Sequence, residues 1–262
     1  MKKCVISLGI NTPDLPGFPP KVRQDFPKGI KRIRERLDEL GFNGDFIGWD
    51  KDYPPESPSF EQVPYGSKPF CFKEAYNRGY ELVLWVDSSI YLKKSPEPFF
   101  DIIRERGYLL INEYHSLGEY CSDDALKTFN ISRKESFSIR SCWSGVVGLN
   151  LSKEKPFELM SEWCEKAVDG VSFHGARWSG IMGFPVTVSK DPRVKGHRHD
   201  QAVLSILAHR LGLTDWMKLK YAEKFLFDDR SYVRKYDESH GVIVKVMDNL
   251  RSVRNEIKHR KK

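Results

Sequence analysis

The chain reads as an α/β protein with a mostly parallel central sheet flanked by helices. Three observations point there. Short apolar runs of strand length recur from the start of the chain, and helix-period segments lie between them. Glycines fall just past several of those segments, where helices stop. The run ELVLWV (residues 81–86) is almost wholly apolar, as befits a strand covered on both faces. Strands joined through helices take right-handed crossovers and lie largely parallel.

Cys4–Ile10 is the first strand. Lys28–Leu40 is a helix, with Ile30, Ile33, Leu37 and Leu40 at helical spacing and Gly41 as its stop. Asp45–Trp49 is a second strand. Residues 51–64 hold four prolines and form a loop. Ser67 is placed to cap a helix over Pro69–Arg78, which Gly79 ends. The buried strand Glu81–Val86 follows. Ser95-Pro96 opens a helix with Phe99, Ile102 and Ile103 inward and Gly107 after it, and Tyr108–Asn112 is the next strand.

The second half is less regular. Val146–Leu151 is a strand. Ser152 is placed to cap a helix over Pro156–Val168, whose Phe157, Met160, Trp163, Cys164 and Ala167 make one apolar stripe. Residues 170–196 are rich in Gly and aromatics, with one strand expected at Phe184–Val188; long loops of this kind are usually functional. Asp200–Leu211 is a helix lined by Val203, Leu204, Leu207, Ala208 and Leu211, with Gly212 as its stop.

At 262 residues, without a low-complexity linker, heptads or a repeat, one domain spanning 1–262 is expected. The first residues lack a signal-peptide cleavage pattern, and their apolar run is too short to span a bilayer. The five cysteines are scattered with no C-x-x-C, which points to reduced thiols and a cytoplasmic setting. Net charge is +7, but the last twelve residues, RSVRNEIKHRKK, hold six Lys/Arg against one Glu. This basic tail, about 250–262, suits peripheral contact with anionic lipid, although a solvated helix end explains it as well. The body carries no basic stripe, so no nucleic-acid partner is expected. There is no G-x-x-x-x-G-K-[ST], no G-x-G-x-x-G and no G-x-S-x-G, which removes the main support for P-loop, dinucleotide-binding and serine-hydrolase readings.

Two acids stand out. Asp87, in LWVDSS, ends the buried strand, and Asp200, in GHRHDQ, begins the helix after the Gly-rich stretch. Each alone is a good turn or cap residue. Each also sits where ligands meet α/β sheets, at a strand's carboxyl end or a helix N-terminus.

The arrangement KPFCFKEAYNRGYELVLWVDSS…PEPFF, then VVGLNL, then GHRHDQAVLSILAHRLG, resembles the GT-A-fold glycosyltransferases, over most of residues 1–212. The resemblance implies a GT-A-like (Rossmann-like) sheet, a UDP- or GDP-sugar donor and a glycan or other hydroxyl acceptor. It places Asp87 at the family's Asp-x-Asp site, where a hard Mn²⁺ or Mg²⁺ bridges carboxylate and diphosphate. Ser88, Ser89, Lys73 and Asn11 fall on the donor side. Trp143, Gly145 and Trp178 fall on the acceptor side, where aromatic rings suit sugar faces. Asp200 matches the acidic motif that acts as base in inverting members, with His197 or His199 able to share the task, and His240 matches the late metal-binding histidine. The motif here is Asp-Ser-Ser, so Ser89 stands where a second carboxylate is expected. Without a metal, Lys68, Lys73 or Arg198 would hold the diphosphate. Inverting and retaining outcomes both stay open. A metal-dependent hydrolase using His197, His199 and Asp200 is the alternative, since H-x-H-D echoes a zinc-hydrolase motif. A non-catalytic carbohydrate-binding relative is a further one.

Overall fold

A computed structural model describes residues 1–12, 22–176 and 188–236. In chain order the elements are β1 (Lys3–Leu8), β2 (Val22–Gln24), α1 (Phe26–Glu39), β3 (Asp45–Trp49), α2 (Ser67–Asn77), β4 (Leu82–Val86), β5 (Ile90–Leu92), α3 (Glu97–Arg106) and β6 (Tyr108–Ser116). Then follow α4 (Asp123–Thr128), α5 (Arg133–Ser136), β7 (Arg140–Asn150), α6 (Glu154–Ala167), α7 (His199–Arg210), β8 (Met217–Lys218), α8 (Leu219–Ala222), β9 (Leu226–Asp228), α9 (Arg230–Val233) and β10 (Arg234–Tyr236).

The central sheet has six strands in the order β3-β1-β4-β7-β6-β8. β3, β1 and β4 run parallel, β6 and β8 run parallel, and β7 is reversed against both β4 and β6. The expected class, an α/β protein with a mostly parallel sheet between helices, is the one observed.

β4 explains the layering. All five of its residues are buried. Leu82, Leu84 and Val86 point to one face, where they join Ile33 and Leu37 of α1 and Phe99, Phe100 and Ile103 of α3. Val83 and Trp85 point to the other, with Phe72 of α2, Trp163 of α6 and Leu207 of α7. The period of two is intact, but both faces are apolar because helices cover both.

Gly79 and Gly107 follow α2 and α3 with φ of +80° and +96°, which explains why those helices stop there. Other expectations are corrected. Ser67 lies inside α2 and makes no cap. Ser152 donates to Asn150 Oδ1 at 2.6 Å instead of capping α6. Phe157 turns outward on α6 and packs its ring against Tyr76 of α2, with centroids 5.1 Å apart. α7 is buried on all sides: Val203, Leu204 and Leu207 face the main core, while Ala202 and Ile206 face a satellite core around Leu117, Leu126 and Ile139. The strand expected at Phe184–Val188 lies outside the described residues up to 187. So does the basic tail. All five cysteines are buried free thiols, as expected. Among the described residues no helix is long and apolar enough to cross a membrane.

Candidate functional site

Asp87 and Asp200 meet at one lysine. Asp87 follows the last residue of β4, and its N–H donates to Gly145 O of β7 at 2.9 Å. Asp200 sits in the first turn of α7, where the helix N-terminus favours an anion. Between them, from the first turn of α2, reaches Lys68. Its Nζ lies 2.6 Å from Asp200 Oδ2, 3.3 Å from Asp87 Oδ1 and 2.9 Å from Ser144 O. Lys68 and Asp200 are buried, whereas the Asp87 side chain is 37% exposed. Burial disfavours the ammonium, but Asp200 and Asp87 outweigh it and hold Lys68 above its ordinary pKa. Trp85 Nε1 donates to Asp87 Oδ1 at 2.7 Å, fixing the carboxylate from the strand side.

The two serines after Asp87 face a second charged group. The ribbon of β5 and β9 brings residues 226–230 against the 87–89 turn. Ser89 Oγ donates to Asp228 Oδ1 at 2.7 Å, and Arg230 Nε donates to Asp228 Oδ2 at 2.6 Å. Asp228 and, more weakly, Tyr65 and Asp87 raise the Arg230 pKa against a burial penalty. Asp229 N donates to Ser89 O at 2.9 Å, and its carboxylate pairs with Arg32 of α1 at 2.7 Å. Ser88 is buried with its carbonyl against Gly29 of α1. So where a second carboxylate was expected at position 89, one arrives instead from the end of β9.

On the other side, the Trp143 indole is close to Gly145; a Cβ at Gly145 would stand 2.6 Å from the ring. Of the expected acceptor residues, Gly145 therefore adjoins Asp87, while Trp143 packs against the core that holds Ile111 and Val146. Tyr65 and His199 stack at 5.5 Å beside Lys68 and Asp200, and both have left-handed backbones, with φ of +62° and +32°. Strain of this kind costs on the order of 1–3 kcal/mol per residue and persists where surrounding contacts enforce it.

Several expected residues have partners of their own. Lys73 pairs with Glu56, and no described contact joins it to the cluster. Arg198 grips Glu113 through Nη1 at 2.6 Å and lies over the Tyr120 ring. Asn11 Oδ1 accepts from Phe26 N at 2.9 Å, so it anchors the start of α1. His199 Nδ1 is 2.7 Å from Phe173 O. His197 is fully buried and both its ring nitrogens are engaged: Nδ1 accepts from Ser122 N at 3.1 Å and Nε2 donates to Ser172 O at 3.0 Å. Burial, reinforced by His199, lowers its pKa to about 3. That neutral, doubly bonded imidazole has no lone pair for a metal, so the hydrolase alternative loses its first ligand. Trp178 and His240 lie outside the described residues.

A divalent cation, which the resemblance implies, needs several oxygen or nitrogen donors arranged around one point. Among the described residues no three His, Cys, Asp or Glu side chains come together in that way. Asp87 Oδ1 faces an ammonium and an indole N–H, and Asp228 is engaged by Ser89 and Arg230. The described donor set does not make a metal site by itself.

Sequence reading missed Asp228, Arg230 and Tyr65. A signal existed for the first two: FDDR (227–230) sets two acids and an arginine after a short apolar run. Nothing marked Tyr65.

Fold and site together define an α/β protein with a charged cluster at the carboxyl end of a central strand, where such sheets bind ligands. No family model and no curated protein matches the chain. Solved structures are similar to it. A glycosyltransferase involved in glycosylation of the major capsid of PBCV-1 is 15% identical over 62% of this chain and 66% of that one, with a TM-score of 0.36. The galactosyltransferase LgtC, solved with donor and acceptor sugar analogs, is 11% identical over 78% and 70%, with a TM-score of 0.38. Mouse xyloside xylosyltransferase 1 is 10% identical over 80% and 82%, with a TM-score of 0.40. All three are described as glycosyltransferases. At these identities and TM-scores nothing about this chain's activity follows from the likeness.

Proposed function

We propose that this protein is a glycosyltransferase, moving a sugar from a UDP- or GDP-sugar to an acceptor hydroxyl. The observation that carries this reading is the meeting of Asp87 and Asp200 on Lys68. Two acids far apart in sequence converge at the carboxyl end of β4, one half-exposed and one buried. Glycosyl transfer needs both ends of such a site. The donor's diphosphate leaves from one side, which we assign to Asp87, Ser88 and Ser89, with Arg230 as the nearby half-exposed cation. The acceptor hydroxyl loses its proton on the other, which we assign to Asp200 as base.

The test is a screen of UDP- and GDP-sugars for hydrolysis, with and without Mn²⁺, comparing wild type with Asp200→Ala. Hydrolysis of at least one donor, reduced at least a hundredfold in the variant, is expected, since a positioned base contributes about 10²–10⁴-fold. No hydrolysis of any donor under either condition, or an unimpaired variant, overturns the reading.

A further inference from the structure

We propose that Lys68 is a positioning residue that locks Asp87 and Asp200 into one coupled unit, and is not a ligand for the donor's diphosphate. This rests on the glycosyltransferase reading above. An ammonium has three N–H donors. Three acceptors surround Nζ: Asp200 Oδ2 at 2.6 Å, Ser144 O at 2.9 Å and Asp87 Oδ1 at 3.3 Å. A phosphate oxygen would have to displace one of them. The side chain is 5% exposed, and its head lies 5.0 Å from the Trp85 ring, the same ring that donates to Asp87.

The lysine therefore ties the first turn of α2 to the end of β4, the middle of β7 and the first turn of α7. Its two carboxylates differ in what they owe to it. Asp87 keeps solvent and the Trp85 indole without Lys68. Asp200 is buried, and Lys68 is the ion-pair partner the structure gives it. Removing the ammonium while keeping its shape leaves Asp200 buried beside a second acid with its ion-pair partner gone. The lysine thus holds the Asp200 carboxylate in place between the first turns of α2 and α7.

Lys68→Met tests this, because methionine fills much of the same space without charge. In nucleotide-sugar hydrolysis kcat is expected to fall by about tenfold or more with the donor KM within about twofold of wild type. Lys68→Arg should restore most of kcat. Independently of activity, the Met variant should melt below wild type, because it leaves a buried carboxylate without its partner. Should the single variant fold poorly, the double variant Lys68→Met/Asp200→Asn is expected to recover melting temperature, since the unpaired charge is gone.

An unchanged kcat with a raised KM for the donor would make Lys68 a diphosphate ligand and overturn the proposal. So would a double variant no more stable than Lys68→Met alone. If wild type hydrolyses no nucleotide-sugar, the glycosyltransferase reading falls, while the melting of the single and double variants still decides the role of Lys68.

Discussion

Gly29→Ala offers a sharp test of the packing that positions the Asp87 turn. Gly29 lies on the buried side of α1, and a Cβ built there would stand 2.1 Å from Ser88 O and 2.9 Å from a Val233 methyl. In an ordinary helix interior the same change stabilises by roughly 0.5–1 kcal/mol, because glycine loses more backbone freedom on folding. Here the new methyl would meet a backbone carbonyl, which cannot swing aside as a side-chain tip can. Restoring a contact near 3.5 Å requires α1 or the 87–89 turn to move by about 1.4 Å. Overpacking of this kind costs about 1–3 kcal/mol, and an overlap with main chain belongs at the upper end. After the helix-propensity gain, a net loss of about 1–2 kcal/mol remains. For a chain of this size each kcal/mol lowers Tm by about 2–4 °C. The measurement is urea unfolding at constant m-value together with calorimetric Tm. A variant more stable than wild type would refute the close approach of α1 to Ser88.

Two other outcomes follow from the described contacts. The His197 pKa, lowered to about 3 by burial, lies below its ordinary value of 6.5. The unfolded chain therefore binds the extra proton first as pH falls, so the stability His197 confers is complete above about pH 6.5 and is lost below it, by roughly 2 kcal/mol between pH 7 and 5. His197→Gln should flatten that slope in pH-dependent melting, and an unchanged slope would show that His197 is not the group responsible. Ser89→Asp should destabilise, because it replaces the 2.7 Å hydrogen bond to Asp228 with a second carboxylate. The exchange Ser89→Asp/Asp228→Ser should recover most of that loss in a double-mutant cycle, and purely additive effects would break the proposed pairing.

The framework of the fold was legible because its signals are local. The apolar runs at residues 45–49 and 81–86 lie on β3 and β4 to within a residue, and the glycines after α2 and α3 end helices where a left-handed backbone is needed. The miscalled details are those where a tertiary contact overrules a local preference. Ser67 is a good cap residue, yet the chain turns into α2 before it, and Ser67 is buried. Phe157 has the right period to face inward, but Tyr76 gives it a partner at the surface. α7 reads as one apolar face because its polar first turn, His199, Asp200 and Gln201, is buried for other reasons: each side chain has a partner that only the folded chain supplies.

The same distinction runs through the site. Asp87 and Asp200 are visible in sequence because an acid at the end of an apolar strand, or at the start of a helix, conflicts with its surroundings. Lys68 conflicts with nothing: a lysine in the first turn of a helix is ordinary, and only its burial between two acids gives it a role. Asp228 is further still from view, since its meaning depends on a three-residue ribbon pairing β9 with β5. That ribbon also explains the Asp-Ser-Ser motif. A carboxylate at position 89 would face Asp228 across 2.7 Å, the distance at which the serine hydroxyl now donates to it. The small hydroxyl and the remote acid therefore belong together. Position 89 is a donor to a carboxylate carried by another part of the chain, the last residue of β9.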